Sequence, residues 1–201
     1  MPAPIDFYFD FSSPYGYLAS EKIEAIASKH GRSVDYKPIL LGVVFKQTGA
    51  APLTNVPLKG DYSRRDFMRS ARLLGVPFRM PDKFPISTQV AARIVLWMSE
   101  TNVEAARTAM HELYRAYFSR GMDISDPATA VALAAQAGGI EAGTIAAAVE
   151  SAPVKDGLRR ANEEAMAAGV CGSPYMIVDG EPFWGSDRLD QVDRWLATGG
   201  W

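Results

Sequence analysis

Strand-like sequence stands only at the two ends of this chain, and that split constrains the fold more than any other feature. At the front, Ile5 to Phe11 (IDFYFDF) is a short aromatic-rich run that reads as a buried strand. Ser12-Ser13-Pro14 ends it. In the following YGYLASEKIEAIASKHG, Leu18, Ile23, Ile26 and Ala27 fall at near-helical spacing. Ser13 suits the N-cap of that helix, Pro14 its first turn and Gly31 its stop. SVDYKPILL then predicts a second strand, with Val34 and Tyr36 on one face. Strand, helix, strand predicts a parallel pair with a right-handed crossover. At the far end, Tyr175 to Val178 (YMIV) predicts a strand and Asp179-Gly180 a two-residue hairpin turn. Pro182 to Trp184 returns, and Ser186 is expected to cap a last helix holding Leu189, Val192, Trp195 and Leu196.

Between these ends the pattern is helical. Gly49 to Gly60 (GAAPLTNVPLKG) reads as a loop. Helices are expected over Arg64 to Leu74, Thr88 to Glu100, Val103 to Ser119, Ala128 to Ala137, Ala142 to Ser151 and Val154 to Ala168. Asn102 and Asp126-Pro127 supply caps. The expected architecture is α/β. Segments 1–42 and 170–201 form one sheet domain, and 43–169 is an inserted all-helical domain packed over it. A cleft between two such units is a common ligand site.

Composition removes several function classes. With 21 basic and 23 acidic residues the formal charge is -2, so the basic excess expected of a nucleic-acid binder is missing. The single cysteine, Cys171, excludes an internal disulfide and a CxxC pair, and fits a reducing compartment. MPAPIDFYFDF carries no basic n-region and no apolar h-region, and no stretch nears the roughly 18 apolar residues of a membrane helix. A cytoplasmic protein without a membrane partner is expected. GxGxxG and GxxxxGK[ST] are both lacking, so nothing points to NAD or ATP. His30 and His111 have no metal-ligand spacing around them, and no metal is expected.

Three short segments carry chemistry. Ser13-Pro14-Tyr15-Gly16 feeds a strand into a helix N-terminus, where free amides and the helix dipole stabilise an anion, including a thiolate. Local sequence alone favours reading Ser13 simply as a cap. Gly172-Ser173-Pro174 precedes a buried strand and marks an edge or a special turn. Gly185-Ser186-Asp187-Arg188 opens the last helix and is readable as a carboxylate and amine site or as plain capping. Lys59 sits in the Pro/Gly loop, and Arg65, Arg69 and Arg72 share a helix face that reads as solvated.

Taken together, IDFYFDFSSPYGYLA, KPILLGVVFKQTG, VPLKGDYSRRDF, RLLGVPFRMPDKFPI, GVCGSPYMIVDG and FWGSDRLDQV resemble the 2-hydroxychromene-2-carboxylate isomerases. That family is related to kappa-class glutathione transferases and to thioredoxin-superfamily disulfide oxidoreductases. The resemblance spans nearly the whole chain in family order and implies a thioredoxin-like fold with a large helical insertion. In the oxidoreductases the helix N-terminus carries a C-x-x-C pair. Here Ser13 and Gly16 replace both cysteines, so dithiol exchange is closed at this site.

The resemblance implies that Ser13 holds the glutathione sulfur as a thiolate. It implies that Ser173, before a cis-Pro174, pairs its backbone with the cysteinyl residue, and Gly172 counts among the glutathione-binding residues. Ser186 and Asp187 would hold the γ-glutamyl end, and Lys59 would reach the glycyl carboxylate. Ala50 stands where kappa enzymes often have Asn, and Cys171 where an aromatic is common. The implied reaction interconverts 2-hydroxychromene-2-carboxylate and trans-o-hydroxybenzylidenepyruvate, with glutathione as cofactor and a small aromatic carboxylate as substrate. The alternatives are a kappa-like transferase that releases conjugates and a non-catalytic glutathione-binding module. A homodimer is expected from the resemblance only.

Overall fold

The structure is a computed structural model that describes residues 2–201. Its sheet draws on both ends of the chain. β1 (Ile5–Phe9) and β2 (Val34–Pro38) are parallel; β3 (Tyr175–Val178) lies antiparallel to β1, and β4 (Glu181–Trp184) antiparallel to β3, in the order β2-β1-β3-β4. The period-2 alternation of β1 divides its side chains between two cores. Ile5, Phe7 and Phe9 enter the larger one, while Tyr8 joins a smaller one with Ile39, Val44, Val170 and Tyr175. Asp179 (φ 52°) and Gly180 (φ 91°) are both left-handed, as a type I′ hairpin turn requires.

α1 (Pro14–Lys29) follows β1, and Gly31 (φ 64°) stands just past its end. The middle of the chain forms α2 (Leu41–Thr48), α3 (Lys59–Leu74), α4 (Gln89–Thr101), α5 (Val103–Phe118), α6 (Pro127–Gly138), α7 (Ala142–Glu150) and α8 (Ala152–Ala167), and α9 (Leu189–Thr198) closes it. Asn102 caps α5 through Ala105 N (3.0 Å), and Asp126 caps α6 through Thr129 N (2.8 Å). α5 presses its aromatics against the sheet: the Tyr114 ring lies 5.7 Å from Phe9 and 4.9 Å from Phe11. One continuous core therefore joins the sheet to the helices.

Three expectations need correcting. SVDYKPILL is not one strand: β2 stops at Pro38, which cannot donate to a ladder, and the chain turns into α2 at Leu41. Lys59 is not in a loop; it opens α3, five residues before the expected start. Ser186 does not cap the last helix. It begins a 3-10 turn (Ser186–Arg188), and Arg188 occupies the N-cap of α9 without a side-chain bond.

Candidate functional site

β1 hands the chain to α1 within four residues, and those residues build the site. Ser13 is extended (φ -93°, ψ 111°), and its Oγ accepts the Gly16 amide at 3.0 Å, so the N-cap is real. The same hydroxyl donates to the Ser173 carbonyl at 2.7 Å. Ser13 is 5% exposed. The Ser173–Pro174 peptide is cis. Ser173 Oγ accepts the Asp10 amide at 3.0 Å, and the Tyr114 hydroxyl donates to the Asp10 carbonyl at 2.9 Å. These bonds stitch the end of β1 to the start of β3.

Asp10 is the anchor beneath them. Its carboxylate is buried, at 3% exposure. Oδ1 accepts Ser12 N (2.7 Å), Ser12 Oγ (2.9 Å) and Thr88 Oγ1 (2.9 Å), and Oδ2 accepts Leu41 N at 2.6 Å. Burial pushes the Asp10 carboxyl upward; these donors pull the other way without cancelling it. One side chain thus fixes the loop before Ser13, the start of α2 and the residue before α4.

Gly16 has no room for a side chain. A Cβ there would fall 2.7 Å from the Tyr114 hydroxyl and 2.8 Å from Ser173 Oγ. The adjacent Tyr15 leans onto α3, its hydroxyl donating to Asp66 at 2.5 Å and its ring 5.0 Å from Phe67. Burial first, then Asp66, raises the phenol well above its usual range, so it stays neutral. The 3-10 turn that holds Asp187 packs on the same helix, α1.

The expected site residues meet this geometry unequally. Ser13 and Ser173 touch. Gly172 is buried beside them, and a Cβ on it would lie 2.2 Å from Trp184 Nε1. Ser186 and Asp187 lie on the 3-10 turn packed against α1, where Gly185 (φ 111°) brings Asp187 back over its own backbone. Lys59 is exposed at the start of α3, which also packs on α1. No hydrogen bond or ion pair joins it to Ser13 among the described residues. Ala50 is exposed past the end of α2, and Cys171 is half-buried.

Further along α1, a cavity of about 230 Å³ is lined by charged groups, among them Glu21, Glu24, Arg107, His111 and Arg115. Arg115 donates twice to Glu21, at 2.8 Å each, and His111 Nε2 lies 3.3 Å from Glu24. Its Nδ1 approaches Glu21 only to 3.5 Å. These charges largely answer one another, so the cluster bridges α1 to α5.

The DSBA-like thioredoxin domain model matches residues 4–197. The chain belongs to that family. A DSBA-like thioredoxin fold carrying a helical insertion is therefore the architecture, as the sequence motifs imply. A 2-hydroxychromene-2-carboxylate isomerase from Sphingobium xenophagum is 32% identical over 198 residues, covering 98% of this chain and 99% of that protein. A glutathione S-transferase kappa 2 from Caenorhabditis elegans is 28% identical over 205 residues, covering 96% and 91%. A solved structure of 2-hydroxychromene-2-carboxylate isomerase superposes with a TM-score of 0.86 at 25% identity, covering 96% and 94%. Such relatives support an isomerase or glutathione-transferase type of enzyme. Asp10, Thr88, Tyr114 and Trp184 lie around Ser13, Gly172 and Ser173 without having been singled out for that place in the sequence, whereas Tyr15 belongs to the Ser13-Pro14-Tyr15-Gly16 segment. Only Asp10 carries a local signal: an acid inside an aromatic strand run.

Proposed function

We propose that this protein is a glutathione-dependent isomerase that interconverts 2-hydroxychromene-2-carboxylate and trans-o-hydroxybenzylidenepyruvate in aromatic catabolism. The observation that carries the reading is Ser13 Oγ, held at the first turn of α1 by one accepted and one donated hydrogen bond.

The site fits a peptide thiol. Tyr15 is the second helical residue, so its amide has no intrahelical acceptor. The Ser173 amide, on a buried residue, donates to no atom among the described residues. When bound, glutathione supplies a thiolate nucleophile that makes one carbon–carbon bond of the substrate temporarily single. Turning the Ser13 hydroxyl about its Cβ–Oγ bond, with Oγ still held by the Gly16 amide, would let it donate to such a sulfur instead of the Ser173 carbonyl. The α1 dipole and the Tyr15 amide lower a thiol pKa from its usual value of about 8.5. Ser173 offers its backbone edge to the cysteinyl unit, Ser186 and Asp187 bind the γ-glutamyl end, and Lys59 and Gly172 complete the pocket. Residues 43–169 act as the inserted domain that covers the substrate. The site's location in the cytoplasm and a homodimeric assembly belong to the same reading.

Ser13→Ala tests it. The variant is expected to lose at least about tenfold in glutathione-dependent turnover; full retention removes Ser13 from thiolate activation. Undiminished activity of thiol-free, dialysed enzyme would remove glutathione. The kappa relatives favour a second reading, a transferase, which release of a chlorodinitrobenzene conjugate would support.

A further inference from the structure

Trp184 is 59% exposed on the rim of the site, an unusual place for the largest side chain. It ends β4 opposite Tyr175. Its neighbour Phe183 is buried with its ring 5.8 Å from Trp195, and strand alternation turns Trp184 to the other face. There the pyrrole edge of the indole lies down on Gly172: a Cβ at that position would sit 2.2 Å from Nε1 and 2.7 Å from Cε2. The next residue is Ser173, whose carbonyl accepts the Ser13 hydroxyl at 2.7 Å. The polar edge of the ring is therefore turned to backbone, and the exposed remainder is carbon. No aromatic ring of the chain stacks on it among the described residues. The polar groups placed for glutathione, Ser173, Ser186 and Asp187, flank it in sequence and need no flat apolar surface.

We propose that Trp184 is a specificity-determining residue whose exposed indole face stacks on the aromatic ring of the substrate, with Gly172 present so that the indole can reach that position. This rests on the reading of Ser13 as the glutathione-thiol site. Two flat π systems side by side gain from offset stacking, whereas glutathione has no ring to stack. The class of ligand selected is an aromatic carboxylate with a planar unsaturated side chain.

Two unreactive probes separate the two halves of the site: 2-hydroxycinnamate for the aromatic substrate and S-methylglutathione for the peptide. Calorimetric titration of each into wild type, Trp184→Phe, Trp184→Ala and Gly172→Ala reads the proposal. Trp184→Ala is expected to weaken 2-hydroxycinnamate about tenfold and Trp184→Phe by less than about threefold. Both should leave S-methylglutathione within about twofold. Gly172→Ala, which displaces the indole without removing it, should reproduce the loss for 2-hydroxycinnamate. Far-ultraviolet circular dichroism checks that each variant is folded, and the Phe variant serves if Ala does not fold. Unchanged 2-hydroxycinnamate affinity in Trp184→Ala, or an equal loss of both probes, overturns the proposal. Wild type that binds the aromatic probe but not S-methylglutathione sinks the glutathione reading and leaves the stacking face standing; the reverse sinks the stacking face alone.

Discussion

Gly16→Ala sets helix propensity against packing, and the two give opposite signs. Gly16 is the third residue of α1, where alanine is intrinsically favoured by about 0.8–1.0 kcal/mol. The new Cβ would lie 2.7 Å from the Tyr114 hydroxyl, 2.8 Å from Ser173 Oγ and 3.1 Å from Ser13 Cβ. Ordinary contact begins at 3.4 Å, so both oxygens must retreat. Neither is free to do so. Tyr114 is fully buried with its hydroxyl on Asp10, and Ser173 Oγ holds the Asp10 amide. Weakening two buried hydrogen bonds costs about 1–3 kcal/mol in total, and overpacking about 1–3 kcal/mol more. Less the propensity gain, the variant should be destabilised by about 1–5 kcal/mol. At roughly 2–4 °C per kcal/mol for a chain of this size, Tm should fall by about 2–20 °C in differential scanning calorimetry. An unchanged or raised Tm would refute the packing argument. The same Cβ position governs a cysteine. A Ser13→Cys, Gly16→Cys double variant is therefore expected to fail as a disulfide reductant in an insulin precipitation assay, because Tyr114 and Ser173 fill the space of the second thiol.

Asp10→Asn should unfold in about 2–4 kcal/mol less free energy, since an amide NH₂ must face either the Leu41 N–H or the three donors on Oδ1; urea denaturation yielding wild-type stability would contradict that accounting. Burial draws the His111 pKa down, but the bonds to Glu21 and Glu24 outweigh it and hold it above 6.5. Its contribution is therefore complete below pH 6.5 and fades as pH rises through the higher folded value. Glu21, whose burial is outweighed by His111 and Arg115, is held down at about 2, so its contribution is complete above about 4.5 and is lost progressively as pH falls from there through the lower value. The stability gap between wild type and His111→Gln, from denaturant titrations at pH 6 and pH 9, should shrink at the higher pH; a constant gap would disprove the linkage. Tyr15→Phe removes the bond to Asp66 and should raise the glutathione KM with little change in kcat, if Tyr15 only positions α1 against α3.

The strands at both ends were legible because short aromatic and β-branched runs bounded by Ser-Pro, Gly and Asp-Gly signal strands and turns whatever packs on them. α2 was not: LGVVFKQT is eight residues of apolar and β-branched character, and periodicity cannot separate a strand from a helix over that length. Its start is set by the Leu41 amide meeting Asp10, a contact between residues 31 apart. The placement of Ser13, Ser173, Ser186 and Asp187 at element ends was legible from motifs. Tyr114, Thr88 and Trp184 were not, since each lies where local sequence explains it as ordinary helix, cap or strand. What brings Tyr114 and Trp184 beside Ser13 and Ser173 is the close approach of Gly16 and Gly172, while Thr88 is tied in through Asp10; a glycine does not announce what it is making room for.

The hydrogen bond from Ser13 to Ser173 spans 160 positions of chain. On a ribosome, Ser13 and its helix emerge early, and every helix from α2 to α8 follows before the other half of the bond exists. β1 must wait for β3 as well, because the two are neighbours in the finished sheet. The nascent polypeptide can assemble much of its helical mass while the partner of Ser13 is still unmade. That contact arrives last, with the segment from Ser173 onward, and a message truncated anywhere before it would yield a product without the β1–β3 pairing.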